Sequence, residues 1–334
     1  MTGRVPIGAA GIAIARATAD VGATPDRVPP ASAGASPAPG APGTPARPAS
    51  ESVGRAREIR HFVLRSKKVL GASFVLLSLL AIALLGPILR PGDPNAFVGP
   101  LGAPPSAEYW FGTTTFGQDV FAQFANGLMS TFTVGILGGG VAAIIGMVVG
   151  FVAGYRGGVV DEILNMLTNV VLVIPTLALL IVVTAYLQAR GLILEAAFIG
   201  LTSWPWAARA IRAQTFSLNT REFVDLARIS GASSLRVVFR EIAPNMSSYL
   251  FMTFILLFGG SILIAASLDF IGLGPTEGTS LGLMMYNAVA WSALQLEMWW
   301  WFVPPGIGIT AIVGALYVMN VGLDEIFNPR LRES

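Results

Sequence analysis

The chain has 334 residues, 54% of them hydrophobic and 12% charged, with mean hydropathy +0.67 and a formal net charge of +2. A water-soluble domain carries roughly 25% charged residues, so lipid rather than water is the solvent for most of this chain. Cysteine is absent and His61 is the single histidine, which excludes disulfides, thiol nucleophiles, thiolate metal sites and histidine-based metal clusters or proton shuttles.

Residues 1–55 are dominated by Ala, Pro and Gly, as in PPASAGASPAPGAPGTPARPAS, and cannot bury a core, so they read as a disordered, partly polyproline-like tail. The opening MTGRVPIGAAGIAIAR faintly resembles a signal peptide, but its apolar part is weak and interrupted by Pro6. A basic juxtamembrane segment and the first span occupy 56–89, with the span itself at about Val69–Leu89, ended by Pro87 and the PGDP turn at Pro91–Pro94. Residues 90–130 form an outer loop with a short helix expected between Gly112 and Met129. A core at 131–322 holds five more spans, and 323–334 are a C-terminal end. The spans are expected at about Thr131–Ala153, Ile163–Leu187, Leu192–Ala208, Tyr249–Leu268 and Trp299–Val321, the fourth being the shortest, with another short helix at Leu281–Trp291. Each apolar core is long enough for a hydrocarbon layer of about 30 Å. The fold expected is all-α, polytopic, with six transmembrane helices and the lipid bilayer as its main partner.

Of the 21 basic residues, only Arg90 and Arg190 fall on one side of such a six-span arrangement. The rest lie in the tail, at Arg156, between Arg209 and Arg240, and at the C-terminal end. Arg55, Arg57, Arg60, Arg65, Lys67 and Lys68 are close enough to the first span to weigh on its orientation. The positive-inside rule then puts both termini in the cytoplasm. The outer loops hold Asp93, Glu108, Asp119, Asp269, Glu277 and Glu297.

The polar segment 219–245 lies between greasy spans. Asn219 with Glu222 resembles a capping box, and Phe223, Leu226, Ala227 and Ser230 share one helix face. Arg221, Asp225 and Arg228 can pair on another face. Gly231 suits a left-handed stop. Ser233 or Ser234 can cap a second helix whose stripe is Leu235, Val238, Phe239 and Ile242, ending near Pro244. Two readings stand side by side: a rigid knuckle that a soluble partner pushes on, and an amphipathic hairpin lying on anionic lipid.

At these residues the chain resembles a known family. The run Glu222, Phe223, Val224, Asp225, Leu226, Ala227, Arg228, two residues, Gly231, Ala232, Ser233, then Ile242-Ala243-Pro244-Asn245 is similar to the EAA loop of binding-protein-dependent ABC importer permeases. The similarity is greatest to the dipeptide, oligopeptide and nickel branch. It extends over YWFGTTTFGQDVF at 109–121, AGYRGGVVDEIL at 153–164, FIGLGPTEGTSLGLMM at 270–285, WWWFVPPG at 299–306 and NPRLR at 328–332. The resemblance implies a MetI-like permease in a bacterial inner membrane, whose loop at Glu222–Gly231 docks on an ATPase. It further implies a heterodimer with a homologous permease, two ATPase subunits holding ATP and Mg, an extracytoplasmic binding protein, and no nucleic acid. Short peptides are the modal substrate, with nickel complexes or oligosaccharides as alternatives; no substrate-binding residue is identified.

Some positions depart from the family pattern. Asp225 and Leu226 stand for the usual Glu and Ala, Thr114 and Gln118 for Asp and Arg, Asn169 for Asp, and Asn320-Val321 for Gly-Asp.

Gly146, Gly150 and Gly154 share one helix face and let a neighbouring helix come close, with Gly135 and Gly139 extending the series outward. Pro175 kinks the third span. Trp299, Trp300 and Trp301, like Trp204 and Trp206, read as interfacial anchors. Asp119, Gln123 and Asn126 read as a solvated face or a contact for the binding protein.

A phosphate-cradling loop needs Gly-Lys-Ser/Thr, and the only lysines, Lys67 and Lys68, follow no glycine. The chain therefore binds no nucleotide by that route; the resemblance implies a transport subunit rather than an enzyme, with no cofactor of its own. Spans two, three, five and six hold no Asp, Glu, Lys, Arg or His, which disfavours a proton-coupled carrier with an acidic relay.

Overall fold

The computed structural model describes residues 66–186, 190–276 and 278–327. The expected disordered tail, Arg55 to Arg65 with His61, Leu187, Glu277 and the NPRLR end lie outside these. Among the described residues the regular structure is helical. In chain order it runs α1 (Lys67–Leu89), α2 (Val120–Arg156), α3 (Gly158–Val173), α4 (Thr176–Tyr186), α5 (Leu192–Asn219), α6 (Glu222–Ile229) and α7 (Ser234–Val237). A π-helical turn (Val238–Ile242) follows, then α8 (Ala243–Asn245), α9 (Ser247–Phe270), α10 (Leu281–Ala290) and α11 (Trp299–Phe327).

Four helices, α1, α2, α9 and α11, are long and apolar enough to cross a membrane, and the bent pair α3/α4 makes a fifth if it counts as one span. The protein is thus all-α and polytopic. The expected fourth span lies within α5, a 28-residue helix whose charges Glu195, Arg209 and Arg212 keep it outside that apolar class.

Several boundaries differ from the expectation, each for a local reason. No separate helix covers Gly112–Met129. Gly112 and Gly117 hold positive φ in the outer segment, and the Asp119 side chain accepts from the backbone N–H groups of Phe121 and Ala122. The helix therefore starts at Val120 and runs unbroken for 37 residues through the expected second span. The helix α1 continues through Pro87 to Leu89. The third span breaks rather than kinks gently: α3 and α4 meet at 74° around Pro175, which lacks the N–H that would continue the ladder.

The long helix α2 is the spine, packed along α5 and α9, while α1 and α11 close the other side. One apolar cluster joins α1, α2, α9, α10 and α11 around Leu128, Ile262, Trp301 and Leu316. A second joins the later half of α2 to α5, the 222–245 segment and α9. Of the expected tryptophan anchors, Trp301 and Trp204 are core residues and Trp300 donates to the Thr113 carbonyl at 3.1 Å; Trp299 and Trp206 stay exposed. Bulky rings inside a span fill space between helices wherever the neighbour leaves a gap.

Candidate functional site

The polar segment folds into two short helical pieces around Gly231. The α6 stop is a Schellman arrangement: the Gly231 N–H donates to Arg228 O at 2.9 Å, and the Ala232 N–H reaches back to Ala227 O at 3.1 Å. Gly231 sits at φ +80°, a conformation without steric penalty only when Cβ is missing. Ser233 occupies the N-cap position of α7 by backbone, but its hydroxyl makes no cap bond.

The expected capping box does not form. Arg221 is the N-cap of α6, and Asn219 ends α5 instead. Its side chain ties three elements together. The Asn219 amide donates to Tyr155 O at 3.2 Å, its oxygen accepts from Arg228 Nη2, and the Arg228 guanidinium lies 5.3 Å from the Tyr155 ring centre. Arg228 also donates to Asp225 Oδ1 at 3.1 Å. A planar guanidinium that stacks and bonds at once is a stiff joint. Here it links α6 to the ends of α2 and α5.

The expected apolar faces are also redrawn. Val224, Val237, Val238 and Ile242 are buried in the same cluster as Phe151, Trp204 and Ile211, with Phe223, Ala227 and Ala232 partly covered. Leu226 (67% exposed), Ile229 (85%), Leu235 (72%) and Phe239 (65%) point away, as does Ser230. The π turn inserts an extra residue per turn. It rotates Val238 and Ile242 inward and leaves Leu235 and Phe239 out, so the single stripe read from a 3.6-residue period splits in two. Glu222, Asp225 and Arg228 are exposed around these apolar groups.

The glycine face of α2 lies directly against α5. A Cβ on Gly146 would sit 2.9 Å from Ala207 Cβ, one on Gly150 2.8 Å from Ala208 O, and one on Gly154 2.7 Å from Arg212 O. Gly135 and Gly139 serve another neighbour, since their added Cβ atoms would meet Phe258 of α9. The knuckle is therefore seated on a helix pair in close backbone contact.

Away from the knuckle, the family departures find partners. Thr114 Oγ1 and Gln118 Oε1 are 3.3 Å apart, and Gln118 Oε1 accepts from Gln123 Nε2 at 3.0 Å. Uncharged groups thus occupy the contact where the pattern has Asp and Arg. Asn169 Oδ1 accepts from Arg209 at 2.6 Å, and Asn320 donates to Met252 O at 2.9 Å. Asp119 and Gln123 are buried and so form no solvated face, while Asn126 is partly covered and donates to Ala122 O at 2.8 Å.

Sequence reasoning missed one polar cluster. The α9 helix runs beyond Leu268, and the buried Asp269 faces Glu195 of α5. The Ser280 hydroxyl donates to Asp269 Oδ2 at 2.5 Å, whereas Glu195 Oε1 and Oε2 and Asp269 Oδ1 have no partner among the described residues. The two acids are 74 positions apart, so only a comparison of helix ends could have paired them.

Comparison with known proteins agrees with this architecture. The family model described as "Binding-protein-dependent transport system inner membrane component" matches residues 146–333. A Brucella suis biovar 1 (strain 1330) protein, provisionally named a peptide transport system permease protein, is 33% identical over 277 residues, covering 82% of this chain and 91% of its own length. A similarly named Brucella abortus biovar 1 (strain 9-941) protein is 33% identical over 77% of this chain and 86% of its own. The dipeptide transport system permease protein of Bacillus subtilis (strain 168) is 28% identical over 80% and 83%.

Proposed function

Because the chain belongs to the binding-protein-dependent transport system inner membrane components, we propose that its 222–245 knuckle is the element through which partner ATPases drive this ABC importer permease. The chain is a transport subunit and not an enzyme; hydrolysis of Mg-bound ATP falls to separate subunits. In this reading α5 supplies a sixth crossing, both termini face the cytoplasm of a bacterium, and a homologous permease completes the pathway. A binding protein delivers substrate from the opposite face. Short peptides are the substrate class, as the names of the relatives suggest.

The observation that carries the reading is the division of the knuckle's apolar groups. Val224, Val237 and Ile242 root it in the bundle, while Leu226, Ile229, Leu235 and Phe239 remain uncovered beside charged groups. A patch of this kind suits a groove on a soluble partner. Closure of the partners would push on the patch, and the Arg228–Asn219–Tyr155 joint would pass that push to α2 and α5. The glycine contacts carry it on, since helices that touch through backbone move together. The lipid-surface alternative loses support because the residues that would enter the headgroups are split between two faces.

The test is ATP-driven uptake by the reconstituted complex. Ala227→Arg is expected to abolish uptake while the permease still inserts and assembles with its homologue. Unchanged uptake in that variant, or wild-type uptake driven by an ion gradient without ATP, would overturn the reading.

A further inference from the structure

The helix α3 carries a polar stripe that the packing of this chain does not use. Glu162, Asn165 and Asn169 recur at spacings of three and four and so lie along one face. They line an open groove together with Met166, Val170 and Val173. Val159, Ile163, Met166 and Val170 form the adjoining stripe and are all exposed. The third face, with Leu164, the buried Thr168 and Val171, turns to the bundle. A helix in lipid has no reason to divide its uncovered surface into a polar and an apolar half unless the two meet different surroundings.

The cation on this face sharpens the point. Asn169 is eleven residues past Gly158, a rise of roughly 17 Å along α3. The Arg209 guanidinium is held there by Asn169 Oδ1 at 2.6 Å and is otherwise exposed. Among the described residues neither Arg209 nor Glu162 has an ion-pair partner, in contrast to Arg212, which is paired with Asp161 one turn away. An exposed guanidinium between apolar spans requires water or an anion beside it. Packing against a second helix would instead bury an unpaired cation, which is strongly unfavourable.

We infer that the Glu162–Asn165–Asn169 stripe with Arg209 is this subunit's wall of the aqueous substrate path and a transient subsite for a short zwitterionic peptide, a deepening that rests on the permease reading above. The chemistry fits that class. The guanidinium fork matches a terminal carboxylate bidentately, the two asparagine amides each offer a donor and an acceptor to peptide groups whatever the side chains, and Glu162 suits a terminal ammonium. Glu162 and Asn169 are separated by a rise of about 10 Å, the length of roughly three extended residues.

Because the natural chain has no cysteine, single cysteines can be read without background. In the assembled transporter in vesicles, Glu162→Cys and Asn165→Cys are expected to react with a charged, water-soluble thiol reagent at least tenfold faster than Ile163→Cys and Val170→Cys. Trialanine should slow labelling of Asn165→Cys several-fold, and its C-terminal amide should not. In uptake, Arg209→Gln should raise the KM for trialanine about tenfold with little change in kcat. Equal labelling of both stripes, silence of the polar stripe with cross-linking to the homologous permease, or equal protection by trialanine and its amide would each overturn this inference alone. A wild-type complex without ATP-driven peptide uptake would overturn the transport reading and this inference with it.

Discussion

The two segments at opposite ends of the bundle, 90–119 and 220–246, both carry polar residues between apolar spans, but five glycines and five prolines crowd the first and one of each the second. Folded, they behave in opposite ways. The 90–119 segment is tied to itself. Thr113, Thr114 and Asp119 are buried and bonded, Tyr109 donates to Val98 O at 2.9 Å, and Trp300 of α11 donates into it. The 220–246 segment is instead rooted in the helices through the buried Val224, Val237 and Ile242; each segment leaves four large apolar side chains outside, Phe97, Val98, Leu101 and Trp110 in the first and Leu226, Ile229, Leu235 and Phe239 in the second. The first is a plug tied by hydrogen bonds within itself and to Trp300, and the second is an elbow held by apolar packing against α2 and α5. Neither rigidity nor exposed apolar area distinguishes them; the way each is anchored does.

That contrast can be broken by substitution, and the largest effect is expected at Gly231. Proline cannot adopt φ +80° and has no N–H for Arg228 O, so Gly231→Pro should lower ATP-driven uptake at least about a hundredfold, by loss of the geometry required of the joint. Surface expression should hold; a parallel loss of insertion would mean that the knuckle is structural only.

Next comes the outer plug. A Cβ at Gly117, which has φ +75°, would lie 2.3 Å from Gly99 O. Gly117→Val should therefore destabilise the permease by about 3 kcal/mol, seen as a lower melting temperature of the purified complex with the coupling ratio of ATP to substrate unchanged in whatever remains folded. A stable but uncoupled variant would erase the distinction between the two loops.

A smaller change tests the exposed patch directly. Phe239→Ser should weaken binding of the ATPase subunits about tenfold, or about 1.4 kcal/mol, without lowering the melting temperature of the permease. Unaltered affinity, measured by titration of detergent-solubilised partners, would assign the patch to something else. The smallest effect is expected from Trp300→Phe, which removes one hydrogen bond between α11 and the plug. A loss of about 1 kcal/mol should appear in thermal denaturation, with no change in coupling or partner affinity.

How far the sequence reaches is visible at particular residues. Gly231 was legible because a glycine between two amphipathic stretches admits few explanations, and Gly146, Gly150 and Gly154 were legible as a face because spacing is written in the chain. Which helix meets that face was not written there: α5 fills it, while the neighbouring Gly135 and Gly139 turn to α9. The stripe Leu235, Val238, Phe239 and Ile242 was misread because a 3.6-residue period was assumed across a π turn. Trp301 was misread because interfacial and core tryptophans have the same local context.

By itself, the sequence determined that this protein lives in lipid, that it is helical, and that one stiff polar elbow interrupts its apolar spans. These follow from transfer energies and from backbone groups that must bond within their own segment, both local properties of the chain. Only the tertiary structure decided which apolar side chains are spent on the bundle and which are left uncovered. The same structure brought Glu195 to Asp269 and Arg209 to Asn169. Those choices depend on which surfaces other helices cover first, and covering is a property of the packed whole.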